Sequence, residues 1–138
     1  MKTTLGFILM LMIIPLCCCT HNNGDIGPLF GQWKIESVRC EGMPQPEYAG
    51  NAFLSFQNSV AQITITGDHN TSYRSYATWH IADNTLFIDF DDADFPPIGN
   101  IGLNVHNRLQ ILRLTHSEMI LQSNPDIDIS VTYILKKW

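Results

Sequence analysis

Eight short runs rich in Val, Ile, Thr, Tyr, Phe and Trp, each ended by turn-forming residues, constrain this chain more than any other feature. They lie near residues 29–39, 52–57, 60–66, 71–82, 85–90, 108–115, 118–123 and 128–136. Five of the connections between them are short: Gln57-Asn58-Ser59, Gly67-Asp68-His69-Asn70, Asp83-Asn84, Thr115-His116-Ser117 and Ser123-Asn124-Pro125-Asp126. Links this short cannot carry a crossover, so the strands they join run antiparallel. Asp83-Asn84 fits a two-residue hairpin. The expected fold is all-β, an eight-stranded antiparallel up-and-down meander. Closing such a meander into a barrel removes the sheet edges that invite aggregation.

Alternation assigns the faces. On 71–82, Tyr73, Ser75, Ala77, Trp79 and Ile81 share one phase, opposite Arg74, Thr78 and His80. On 128–136, Ile129, Val131, Tyr133 and Leu135 share the inward phase. Leu86, Ile88 and Phe90 extend the same apolar face. The run 108–115 breaks the pattern, since Leu112 and Leu114 oppose Leu109 and Ile111. That strand is either covered on both faces or out of register. Two connections are long, 40–51 (CEGMPQPEYAGN) and 91–107 (DDADFPPIGNIGLNVHN). The second holds Phe95, Ile98, Ile101 and Leu103, too apolar for a free coil, and is expected to fold over one barrel mouth.

The N-terminus carries a different signal. Lys2 precedes an apolar stretch from Leu5 to Leu16, the pattern of a secretory signal peptide. It is shorter than the roughly 20 residues a spanning helix needs, and Pro15 would end a helix there. Three cysteines follow, Cys17, Cys18 and Cys19. Adjacent thiols lack the spacers of a zinc site. Leu16-Cys17-Cys18-Cys19 resembles the L-x-x-C lipobox of bacterial lipoproteins. The resemblance implies that Cys19 carries the lipid after cleavage, with Cys18 as the alternative. Acyl chains contribute about 0.8 kcal/mol per buried methylene, so two or three palmitate-like chains hold a domain on a bilayer. This divides the chain into a lipoprotein signal peptide over 1–18, a tether over 19–28 and a barrel domain over 29–138. An aspartate after the lipid site would imply inner-membrane retention; Thr20 stands there instead. The expected location is therefore the bacterial cell envelope, at the outer membrane.

Charge excludes some partners. Lys2 leaves with the signal peptide, and 13 Asp and Glu then face 7 Lys and Arg. An acidic domain with no basic cluster argues against nucleic acid and against direct binding to anionic headgroups. Once Cys19 is acylated, Cys40 is the one cysteine left, and it reads as a small strand-end hydrophobe. Asp89, Asp91, Asp92 and Asp94 are spaced as oxygen ligands for calcium, but without the glycine of a calcium loop they read better as a solvated edge. His21, His69, His80, His106 and His116 are scattered, with no metalloenzyme motif, nucleophile motif or phosphate loop. The reading is noncatalytic, with no cofactor and no metal.

Leu29-Phe30-Gly31-Gln32-Trp33-Lys34-Ile35 places G-x-W at the start of the first strand. With Asp83-Asn84-Thr85-Leu86, Leu114-Thr115 before Glu118-Met119-Ile120-Leu121, and Tyr133 before terminal lysines, it resembles lipocalins and the lipocalin-like lipoproteins of Bacteroidetes. The resemblance implies that Trp33 plugs one barrel end and that a basic side chain, Lys136 or Lys137, covers it. The aromatic set Trp33, Tyr73, Trp79, Phe90 and Tyr133 is the candidate lining for a small apolar or amphipathic ligand in the interior, against simple core filling. The alternative is an interaction module that binds another envelope protein or a glycan through its outer face or the 40–51 and 91–107 loops. The anchor is directly testable: intact-mass spectrometry of the detergent-extracted protein should find acyl mass on a chain beginning at Cys19. Cys19→Ser should abolish that mass and release the protein from the membrane fraction.

Overall fold

The computed structural model describes residues 27–91, 101–123 and 129–138. Residues 1–26, Cys17, Cys18 and Cys19 among them, and Asp92, Asp94, Phe95 and Ile98 lie outside them. The strands are β1 (Gly31–Glu41), β2 (Ala52–Gln57), β3 (Val60–Thr66), β4 (Ser72–Ala82), β5 (Thr85–Phe90), β6 (His106–Leu114), β7 (Glu118–Ser123) and β8 (Ser130–Lys137). They pair in sequence order, all antiparallel, and β8 returns to β1, which closes the barrel. The expected meander is observed.

Turn chemistry explains the order. Asp83 and Asn84 both take positive φ, 47° and 61°, as a twist-matched two-residue hairpin requires. The Asn84 side chain then donates to Ile111 O at 2.7 Å and ties this turn to β6. All the short turns after β2, β4 and β6, together with the start of β1 and the end of β8, gather at one end of the barrel. Residues 42–51, 67–71 and 101–105 lie at the other, where β1, β3, β5 and β7 end.

Two bulges set the inward phase. Glu36 and Ser37 of β1 together oppose Ile134, because the register jumps from Ile35↔Leu135 to Ser37↔Ile134. The buried set therefore changes from Trp33 and Ile35 to Val38 and Cys40. On β6 the register jumps from Ile111↔Leu121 to Arg113↔Ile120. Leu112 is thereby left facing solvent, while Leu114 turns back against the core. This resolves the broken alternation in 108–115: an extra residue shifts the phase, and the strand is not covered on both faces.

Elsewhere alternation holds in the strand middles and fails at the ends. Leu86, Ile88, Phe90, Val131, Tyr133 and Leu135 are buried as expected. Tyr73, Ile81 and Ile129 are exposed. The cause is overhang: β4 is eleven residues long, and its pairing with β3 ends at Thr78 and with β5 at Ala77. Ile81 thus projects past β3 and Tyr73 past β5, and Ile129 precedes its strand.

The core runs the length of the barrel. Trp33, Ile35, Phe56, Leu86, Ile88, Met119 and Leu135 have no solvent-exposed surface. Toward the loops Val38, Cys40, Asn107, Ile111, Ser123 and Val131 keep 6–8%, so the tightest packing is in the short-turn half. Close packing of this kind makes truncation costly. Trp33→Ala should lower the unfolding free energy by about 3–5 kcal/mol, and Tyr73→Ala should change it by less than about 0.5 kcal/mol. Urea titration of both variants checks the pair.

Candidate functional site

The short-turn end is sealed by Trp33. Its indole N–H donates to Leu29 O at 2.8 Å, which fixes the ring across the barrel floor. Lys137 crosses the ring face with Nζ 4.3 Å from the centroid and donates to Phe30 O. Of the two expected lysines, only Lys137 covers Trp33, because it continues the inward phase of Tyr133 and Leu135. Lys136 points outward and pairs with Glu118, which also meets Arg113 at 3.2 Å. The Lys136 hydrogen bond holds the Glu118 carboxyl below its ordinary range. The stabilisation from that exposed pair is complete at neutral pH and fades as pH falls through the lowered value. Gly31 has φ +114°, and a Cβ there would stand 3.0 Å from Lys137 Cε and Nζ. The glycine is what lets the lysine lie this close to the backbone.

The opposite end is covered by a loop. Ile101 and Leu103 are buried in the core. The Tyr133 hydroxyl donates to Ile101 O at 2.6 Å, and burial pushes its pKa up, so it stays a donor. Gly102 takes φ +74°, and a Cβ there would meet Val131 Cγ2 at 3.0 Å. Asn107 faces inward and binds Asn104 through both its amide atoms, holding the loop's return into β6. The expected folding of 91–107 over a mouth is observed for residues 101–105. Tyr48 fastens the 42–51 loop: its hydroxyl donates to Ile35 O at 2.7 Å and accepts from Ala52 N at 3.0 Å. It stands between β1 and β2 where their ladder ends at Lys34↔Phe53.

Of the five expected lining residues, Trp33, Phe90 and Tyr133 are in the core, Trp79 packs against it and Tyr73 stands outside it. Trp33 forms the floor, while Phe90 and Tyr133 are buried nearer the loops. Trp79 is half-buried and packs edge-on against Phe56 at 5.4 Å. Tyr73 is 60% exposed and lines no enclosed space. Among the described residues, two buried polar atoms, Ser75 Oγ and Trp79 Nε1, have no hydrogen-bond partner. Cys40 is a buried free thiol on the inner face of β1. Asp89 pairs with His106 at 2.9 Å on the exposed wall.

A solvent-open groove of about 380 Å³ lies on the outside of β1–β4. Its axis is one cross-strand row, Gln32↔Ser55↔Gln62↔Tyr76, with Thr64 and Arg74 on one side and Gln57 and Val60 on the other. The small Ser55 between two glutamines makes the depression. Trp138 extends the row, its N–H donating to Gln32 O at 2.9 Å. Sequence reading missed this groove, because its residues are the ordinary polar set of an outer face. Only the register shows that they align.

No family model and no curated protein matches the chain. Solved structures do. A lipocalin-like protein from Bacteroides uniformis superposes with a TM-score of 0.65 at 14% identity, covering 81% of this chain and 100% of its own. An uncharacterized protein from Bacteroides eggerthii gives 0.65 at 12%, covering 80% and 99%. Apocrustacyanin C1 gives 0.50 at 12%, with 85% of this chain spanning 64% of that one. The fold is therefore lipocalin-like, as the sequence resemblance implied. The loop plug has its own signature: Tyr133→Phe should leave Ile101 O buried without a donor and cost about 1–3 kcal/mol. Amide exchange at Phe90, whose N–H donates to Val105 O at 2.8 Å, should accelerate in that variant.

Proposed function

We propose that this chain is a lipid-anchored, noncatalytic binding protein of the bacterial envelope that recognises its ligand on the outside of the barrel. One observation carries the reading: the short-turn half of the interior is filled by its own side chains and Ile101 and Leu103 are buried at the loop end, while the outer β1–β4 groove stands open with unengaged polar groups. A ligand inside would have to displace packed side chains, each worth about 1.5–3 kcal/mol of burial. A ligand in the groove displaces only water. The L-x-x-C segment at Leu16–Cys19 supports the anchor and an outer-membrane location. The tether up to residue 28 would let the barrel face a partner away from the bilayer.

A second reading keeps a small apolar or amphipathic ligand inside the barrel. Ser75 Oγ and Trp79 Nε1 favour it, since buried polar groups without partners are few in folded proteins. An amphipathic molecule bearing hydrogen-bonding groups would satisfy them. Native mass spectrometry of protein purified from its own host separates the two. The outer-face reading expects the lipidated chain alone. An apolar molecule copurifying at one per chain, and lost when Leu103→Trp tightens the plug, would establish the interior site instead.

A further inference from the structure

We propose that the outer groove of β1–β4 is a subsite for a short acidic glycan, which rests on the outer-face reading above. The chemistry of its lining selects this ligand class. Gln32, Gln62 and Gln57 each offer an amide donor pair and an acceptor, and Ser55 and Thr64 offer hydroxyls. Sugar hydroxyls both donate and accept, so they match such a set. None of these side chains, nor those of Arg74 and Tyr76, makes a hydrogen bond or ion pair with another described residue, so nothing must be broken before a ligand binds. Tyr76 is 57% exposed at one end of the row and presents a ring on which a sugar face can stack.

Arg74 fixes the charge of the ligand. It is the only formally charged side chain in the lining, and no carboxylate accompanies it. In a chain of net charge −5 this is a local reversal of sign. A guanidinium free of partners takes a carboxylate through two parallel hydrogen bonds. Arg74 and Tyr76 lie two residues apart on the outward face of β4. One uronate unit can therefore stack on Tyr76 while its carboxylate meets Arg74. From Tyr76 to Gln32 the row crosses three strand spacings, about 14 Å, room for several linked sugars. The volume of about 380 Å³ lies within the span of ligand sites.

The same observations disfavour a peptide. Along the row β1, β2, β3 and β4 are hydrogen-bonded to one another, so the groove floor offers no edge for strand addition. The row itself offers no apolar pocket for an anchoring side chain. A phosphate-rich polymer would need more than one cation.

Calorimetric titration of the mature lipidated protein, in a polyoxyethylene detergent that carries no sugar, tests the inference. The probes are a galacturonic acid tetramer, a neutral glucose tetramer and an acidic peptide of equal charge. The uronate should bind, and the glucose tetramer at least about tenfold more weakly. Arg74→Gln and Tyr76→Ala should each weaken uronate binding at least about tenfold with melting temperatures unchanged. Arg74→Gln should leave the glucose tetramer unaffected. Equal affinity for the two sugars, no uronate binding, or binding indifferent to both variants overturns the glycan inference. Should the peptide bind instead and both variants abolish it, the glycan fails while the outer-face reading stands. Should no probe bind and a copurifying molecule occupy the interior, both fail.

Discussion

The hydrogen-bonded seam between β1 and β8 is the constraint on which the rest of the structure depends. It runs from Trp33↔Lys137 to Glu41↔Ser130 and joins the two ends of the domain. Each other ladder joins strands that are neighbours in sequence. The seam is the one pairing that needs every other strand in place, so its closure entropy is met last. Once made, it leaves no edge to template aggregation. It also sets Gly31, Trp33 and Lys137 against one another, which seals the floor. The same seam carries Trp138 to Gln32 and so completes the outer row.

Strand length decides what the barrel can hold. Four of the strands have only six or seven residues, β2, β3, β5 and β7. A strand of this length points about three side chains inward. Floor and plug then take up both ends, with Trp33 below and Ile101 and Leu103 above. Eight-stranded barrels either fill their interior or hold one small ligand, and here the short-turn half is filled. Likeness of fold to the Bacteroides structures leaves this choice open, because identity of 12–14% shares the backbone path and little of the lining. The bulges matter to the same end. By flipping phase within β1 and β6, they let one strand contribute Trp33 and Cys40, and another Leu109 and Leu114, to a single interior.

The fold was legible because its signals are local. Period-two alternation marked the eight strands, and short polar links forced antiparallel neighbours. The bulges were not legible: an extra residue such as Leu112 is apolar like its neighbours, and only pairing with β7 shows it as surplus. Exposure at strand ends was missed for the same reason. Tyr73 has the inward phase, but the length of β5 decides whether anything covers it. Tyr48 and Asn107, which fasten the loops at the mouth, carry no pattern in sequence; each also reaches a backbone oxygen of another strand, Ile35 O and Ile88 O.

By itself the sequence determined the β class, the meander order and the Trp33 floor, because each rests on residues adjacent or alternating along the chain. Tertiary structure alone decided which lysine covers Trp33, that Ile101 and Leu103 plug the interior, and that Gln32, Ser55, Gln62 and Tyr76 stand in one row. Those outcomes depend on register between strands, and register is fixed by packing across the whole barrel.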